Sequence, residues 1–276
     1  MIDTHLHFWR YDPAEFAWIP ADWAAIRADF GPEQLHRLML EHRIDSCIAV
    51  QARQSLDETH MLLSLARDYA YVDGVVGWLP LTAASIDDTL QSLAAHHALV
   101  GARHVLQAEP PAFFENPALQ HGLRSLAQHG LVFDLLVTQA LFPQTLALVD
   151  RHPQLTFVLD HLGKPTIPRG DLSAWRSGLR ELARRPNVTC KISAGVTEID
   201  PRWSPSDLTP LLDEALQTFG PRRLMFGSNW PVCLATGGFE RWLDLLQRWS
   251  EALSHTDRSW LFELTARSVY LSRKTS

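Results

Sequence analysis

The apolar positions of this 276-residue chain fall into short continuous runs, separated by longer stretches in which they recur every three or four residues. The runs at 2–7, 46–52, 72–79, 99–106, 132–137, 156–162, 188–193 and 224–228 are rich in Val, Ile, Leu and Phe and predict eight strands. The stretches 32–42, 58–69, 85–97, 117–129, 144–151, 172–184, 207–219 and 239–253 have helical spacing. Several open with good helix starts, such as Gly31-Pro32-Glu33, Asn116-Pro117 and Ser204-Pro205-Ser206-Asp207, where proline and acidic residues suit the first turn. The runs 46–50 and 155–159 do not alternate, as expected of parallel strands covered on both faces. Strand–helix alternation repeated eight times predicts an α/β fold, a (β/α)8 TIM barrel spanning 1–276 as a single domain. The segment 254–270 reads as an extra C-terminal helix capped by Thr256 and Asp257. A doubly wound open sheet is the rival, but no Gly-rich phosphate turn follows any strand.

Composition narrows the function classes. Net charge is −6 with no basic block, which argues against nucleic acid as a partner. No apolar stretch reaches spanning length and no leader is visible, so a soluble cytoplasmic protein without membrane contact is expected. Cys47, Cys190 and Cys233 are far apart and lie in apolar runs, which suits buried free thiols in a reducing compartment. No motif encodes an oligomeric state, and a homo-oligomer stays open.

In a barrel of this kind the chemistry collects at the C-terminal ends of the strands. The first run ends in His5-Leu6-His7, two imidazoles on one face of a strand. The second ends in Gln51-Ala52-Arg53, the third in Trp78, and the fourth in Arg103-His104-Val105-Leu106-Gln107. The fifth ends weakly at Thr138, the sixth in Asp160-His161-Leu162-Gly163-Lys164-Pro165, the seventh in Lys191-Ile192-Ser193, and the eighth in Ser228-Asn229-Trp230-Pro231. One polar strand end would be noise; nearly all of them ending so predicts a polar cavity at one rim. Asp160 is the expected partner of Lys191. The remaining histidines lie on helices or in loops and read as solvated or structural.

These strand ends resemble the amidohydrolase superfamily, in particular its amidohydrolase 2 branch of sugar-lactone and pyrone-dicarboxylate lactonases. The matching tracts are Ile2-Asp3-Thr4-His5-Leu6-His7-Phe8-Trp9, Val50-Gln51-Ala52-Arg53, Gly101-Ala102-Arg103-His104, Leu159-Asp160-His161-Leu162-Gly163-Lys164-Pro165, Cys190-Lys191-Ile192-Ser193 and Phe226-Gly227-Ser228-Asn229-Trp230-Pro231-Val232. They run in order along almost the whole chain. Phe8-Trp9-Arg10-Tyr11, Asp57-Glu58-Thr59 and Leu224-Met225-Phe226-Gly227-Ser228 are most similar to sugar lactonases of the L-fucono-1,5-lactonase type. Two departures stand out. The fifth strand supplies no histidine, and Asn229 stands where the branch carries aspartate.

The resemblance implies hydrolysis of a sugar-derived lactone, the small-molecule partner, to the free sugar acid by an activated water. With asparagine at 229 the base moves, first to His161 and second to His104, with Asn229 holding the water. Arg53, Arg103, Lys164 and Gln51 would orient hydroxyls and the carbonyl, and Trp9, Trp78 and Trp230 would stack on the ring. No cofactor is required in this reading. Its alternative is one divalent metal such as zinc on His5, His7 and His161, lowering the pKa of water to about 7. A pyrone-dicarboxylate lactonase and a catalytically impaired sugar-acid-binding barrel are the competing functions.

Overall fold

Strand and helix alternate along the chain as the pattern predicts. The computed structural model describes residues 1–93, 96–165, 172–197 and 202–272. The strands are β1 (Ile2–Leu6), β2 (Ser46–Val50), β3 (Val72–Gly77), β4 (Leu99–His104), β5 (Val132–Leu135), β6 (Phe157–Leu159), β7 (Val188–Ser193) and β8 (Leu224–Gly227). All paired neighbours are parallel and follow chain order. The sheet closes where β8 meets β1: Asn229 N donates to His5 O and His7 N to Trp230 O, both at 2.7 Å. The helices α1 (Pro32–His42), α2 (Leu56–Asp68), α3 (Ile86–Leu93), α4 (Pro117–Gln128), α5 (Phe142–Arg151), α6 (Ser173–Ala183), α7 (Pro205–Phe219) and α8 (Phe239–Trp249) form the outer layer.

Two apolar layers result from the period-two alternation of strand side chains. Ile2, Ile48, Val50, Val76, Val100, Val132, Val158 and Met225 fill the barrel interior. Leu6, Cys47, Ala49, Phe133, Leu135, Phe157, Leu159, Cys190 and Ile192 face the helices. The three cysteines are free and buried, as expected.

One irregularity decides where the site residues point. Ile2 packs inside the barrel and Leu6 outside, although residues four apart on a regular strand share a face. Asp3 pairs with Cys47 and Leu6 with Ala49, three residues of β1 against two of β2. This bulge exchanges the faces and turns His5 and His7 inward. Asp3 pins it, since its Oδ1 accepts from the backbone N–H of His5 at 3.1 Å and of Ser228 at 2.9 Å.

The predicted runs continue past the observed strands because their last residues are rim loops. The run 156–162 is strand only over Phe157–Leu159; a tight turn, Asp160–Gly163, follows. The run 239–253 is helix to Trp249 and then a 3-10 turn at Ser250–Ala252. The extra C-terminal helix is present as α9 (His255–Ser259), but its cap is Ser254, whose Oγ accepts from Asp257 N, and not Thr256. The helix then widens into π turns at Trp260–Leu264 and Arg267–Leu271, which place Ala266, Tyr270 and Leu271 against the interior cluster.

Candidate active site

The C-terminal ends of the strands enclose a cavity of about 390 Å³. Among the residues lining it are His7, Gln51, Arg53, Arg103, His161, Lys164 and Asn229. These seven come from the ends of five strands, β1, β2, β4, β6 and β8, so the barrel joins what the sequence separates by more than two hundred residues.

His5 lies below the cavity, fully buried, with ring centroids 5.1 Å from His7 and 4.4 Å from His161. Its Nε2 is 3.1 Å from Arg103 Nη1, a group that can only donate, so Nε2 is the acceptor. Nδ1 then carries the proton and faces Asp160 Oδ1 at 3.2 Å. Lys191 Nζ stands 3.3 Å from the same Nδ1. Burial, reinforced by Lys191 and His161 and opposed by Asp160, holds the His5 pKa well below its ordinary value. A neutral ring wedged between two cations cannot take up a third charge, which removes His5 from the candidate bases.

His7 is fixed differently. Its Nδ1 lies 2.8 Å from the Val50 carbonyl, which can only accept, so Nε2 presents a lone pair to the cavity. Burial, with Arg103 next, lowers its pKa to about 3. Asn229 Oδ1 lies 3.3 Å from that lone pair. Asn229 itself has φ 56°, in the left-handed region, where asparagine is among the few tolerated side chains.

His161 shares that backbone region, with φ 53°, as do Leu162, Gly163 and Lys164. Four successive left-handed residues curl the loop after β6 back over the barrel mouth. His161 Nδ1 contacts Ser193 Oγ at 2.5 Å, leaving Nε2 for the cavity. A hydroxyl donates or accepts, so unlike the Val50 carbonyl it does not lock the tautomer. Burial outweighs the attraction of Asp160 and holds His161 well below its ordinary pKa, hence neutral. Ser193 was visible only as the end of a strand.

The cations of the rim are compensated by acids. Arg103 donates to Asp160 Oδ2 at 3.1 Å and, at very short range, to Gln51 O. Lys191 donates to Asp134 Oδ2 at 2.5 Å and lies 3.2 Å from Asp160 Oδ1, so Asp160 is one of two partners and Asp134 the nearer. Burial alone would raise the Asp160 carboxyl; Lys191, His5 and Arg103 together hold it well below the carboxylate range. Arg53 pairs with Glu15 of the β1–α1 loop, and its backbone N–H is held by Glu58 Oε2 at 2.9 Å. Among the described residues Gln51 Oε1 is buried with no protein partner, an acceptor left for a hydroxyl.

Four predicted contacts are corrected, the first being Trp78, which is not among the residues lining the cavity and whose backbone is bonded on both sides to Thr59 Oγ1. His104 does not line the cavity; its Nε2 is 2.7 Å from Glu109 Oε1 and its ring stacks on Phe113 at 5.0 Å. Trp230 is buried in the core against Phe8 and Phe30. Trp9 donates to Ala28 O and faces a neighbouring cavity of about 790 Å³. Backbone pairing sets the chain direction at both: Trp230 O accepts from His7 N in the β1–β8 closure, and Trp9 exchanges backbone bonds with Phe30. The indole at the cavity is Trp18, 44% exposed, from the same loop as Glu15.

His7 Nε2 and Asn229 Oδ1, 3.3 Å apart, match the edge of about 3.4 Å of a tetrahedron around a divalent ion with bonds of roughly 2.1 Å. His5, Asp160 and His161 also offer ligand atoms within 4.8 Å of one another. His5 is the poor member of either set, since its lone pair already accepts from Arg103. The His7–Asn229 edge fits an ion, with His161 the nearest further imidazole of the cavity lining; His5 fits only if Arg103 moves.

Known proteins match this chain along nearly its whole length. The amidohydrolase family model matches residues 2–271. The chain is 42% identical to an L-fucono-1,5-lactonase of Burkholderia multivorans, over 98% of this chain and 95% of that protein. It is 35% identical to an L-fucono-1,5-lactonase of Burkholderia ambifaria, over 86% and 82%. A crystal structure of an amidohydrolase from Burkholderia multivorans with bound zinc superposes with a TM-score of 0.94 at 42% identity, covering 98% of each chain. On its strand-end motifs, its barrel and this match along nearly its whole length, the chain belongs to the amidohydrolase family.

Proposed function

We propose that this protein hydrolyses a sugar-derived lactone, of the L-fucono-1,5-lactone class, to the free sugar acid. The observation that carries the reading is the set of groups meeting in one cavity: two lone-pair acceptors at His7 and Asn229, a tautomer-free imidazole at His161, and a buried guanidinium at Arg103. Water seated against His7 Nε2 and Asn229 Oδ1 attacks the carbonyl carbon. His161 takes its proton and delivers it to the ring oxygen as that bond breaks, and Arg103 stabilises the charge on the carbonyl oxygen. Gln51, Lys164 and Arg53 orient hydroxyls, and Trp18 covers an apolar sugar face. A divalent ion held by His7, Asn229 and His161 would supply a more acidic water; the residues alone provide the same services without it.

Charge compensation separates this substrate from a pyrone dicarboxylate. Arg53 and Arg103, which line the cavity, already have carboxylate partners, so the rim suits a neutral ring bearing hydroxyls. Among the described residues no helix is long and apolar enough to cross a membrane. The test is a panel of aldonolactones followed by acid release with a pH indicator, with and without chelator. Turnover of an aldonolactone supports the reading; turnover that vanishes with chelation and returns with zinc makes the ion obligatory.

A further inference from the structure

Below the cavity runs a buried chain of polar groups that the hydrolysis just described does not use. Tyr270, from the second π turn of the C-terminal helix, donates its hydroxyl to Asp134 Oδ1 at 2.7 Å. Asp134 Oδ2 accepts from Lys191 Nζ at 2.5 Å, and Lys191 reaches Asp160 Oδ1 at 3.2 Å. Asp160 in turn faces His5 Nδ1 at 3.2 Å and accepts from Arg103 at 3.1 Å. Tyr270, Asp134, Lys191, Asp160 and His5 are all at most 1% exposed. Asp134 lies in β5, Asp160 directly after β6 and Lys191 in β7, and the Lys191 ammonium lies 5.3 Å from the Tyr270 ring.

We propose that Tyr270 is a positioning residue for hydrolysis, acting through Asp134 and Lys191 to hold Asp160, His5 and Arg103 under the lactone carbonyl. The proposal rests on the lactonase reading for its kinetic effect but not for its structural one. Each oxygen of Asp134 has one donor, and the hydroxyl is the donor of Oδ1. Without it a fully buried carboxylate oxygen is left unsatisfied. The carboxylate then turns to take the ammonium with both oxygens and draws Lys191 away from Asp160. Asp160, which orients both His5 and Arg103, loses its third partner. The C-terminal segment therefore does more than plug the bottom of the barrel, and its widened turns, a feature common at functional sites, serve to aim Tyr270 inward.

Tyr270→Phe is compared with Leu271→Ala, a neighbour in the same interior cluster. Loss of a supporting partner of this kind costs about 10- to 100-fold, and the low end is expected: kcat of Tyr270→Phe falls about tenfold with KM within about twofold. Leu271→Ala lowers the melting temperature and leaves kcat within about twofold. On an Asp134→Asn background, Tyr270→Phe has no further effect on kcat. A Tyr270→Phe enzyme with wild-type kcat, or an effect undiminished on the Asp134→Asn background, overturns the proposal. Nitrogen-15 NMR of the histidine rings gives a readout free of turnover. The His5 signals, protonated at Nδ1 in the wild type, shift or broaden in Tyr270→Phe; unchanged signals overturn the proposal even if no lactone is hydrolysed.

Discussion

Gly195 offers the sharpest test of how His161 is held. It lies in the turn after β7 (Ala194–Thr197), and a Cβ there would stand 2.3 Å from His161 Nδ1 and 2.5 Å from both Cγ and Cε1. Ordinary carbon contacts begin at about 3.4 Å, so in Gly195→Ala the ring must retreat by roughly 1 Å. That breaks the 2.5 Å contact with Ser193 and, in the proposed mechanism, moves Nε2 away from the attacking water. A misplacement of about 1 Å costs on the order of a hundredfold in rate, or about 2.7 kcal/mol of barrier. Overpacking also costs roughly 1–3 kcal/mol of stability, so the assay must separate the two effects. Gly122→Ala in α4 is the control, because its Cβ would meet the Leu81 carbonyl oxygen at 2.3 Å, remote from the cavity. Both variants should melt earlier. With both held well below their transitions, kcat measured by acid release should fall about a hundredfold for Gly195→Ala and stay near wild type for Gly122→Ala. A folded Gly195→Ala enzyme within about threefold of wild type would refute the assignment of His161 as the proton carrier.

Other predictions follow from charge and burial. Burial pushes the Glu58 carboxyl up to about 7 from 4.5 in spite of bonds from Ala52 N and Arg53 N. Both states are protonated below about 4.5, and above that the unfolded chain loses its proton first, so this group lowers stability as pH rises towards 7, by at most ~3 kcal/mol. Denaturant midpoints of Glu58→Gln should therefore fall less than wild type between pH 5 and pH 8; parallel curves would contradict it. His7, with its pKa lowered to about 3, works in the opposite sense. The unfolded ring charges below about 6.5 while the folded one stays neutral, so stability drains as pH falls from 6.5 towards 3. With His5 and His161 lowered in the same way, acid unfolding should be steep, and a shallow, carboxylate-like acid transition would contradict the buried neutral triad. Glu15→Gln frees Arg53 of its loop partner. It should tighten inhibition by the sugar-acid product by about tenfold, an amount typical of one charge-assisted hydrogen bond, with little change in KM for the neutral lactone; unchanged product inhibition would place Arg53 outside the binding site.

The strands could be read from sequence because parallel strands buried on both faces are continuous apolar runs, and none of the eight is mistaken. The cavity could be read because a barrel gathers strand ends. What the pattern does not encode is side-chain direction at the loops. His104, Trp9 and Trp230 follow strand ends as His7 and Asn229 do, but local bonding turns them to Glu109, Ala28 and the core. Nor does sequence reveal the β1 bulge; counted as a regular strand from Ile2, His5 and His7 would face the helices. Asp134 was invisible as a single acid in the run Phe133-Asp134-Leu135-Leu136-Val137, its donors 57 and 136 residues away. Trp18 is legible as an aromatic of the long loop after β1, able to cover the pocket or a neighbour, and the structure places it at the cavity; Gly195 reads as an ordinary glycine.

The decisive measurement is acid release by the wild-type protein and by Asn229→Asp, on aldonolactones beside a pyrone dicarboxylate. The account predicts that the wild type turns over at least one aldonolactone and prefers it to the dicarboxylate, with Asn229 and His7 seating the water. An inert wild type beside an active Asn229→Asp enzyme would contradict it and leave a barrel that binds a sugar acid without hydrolysing its lactone.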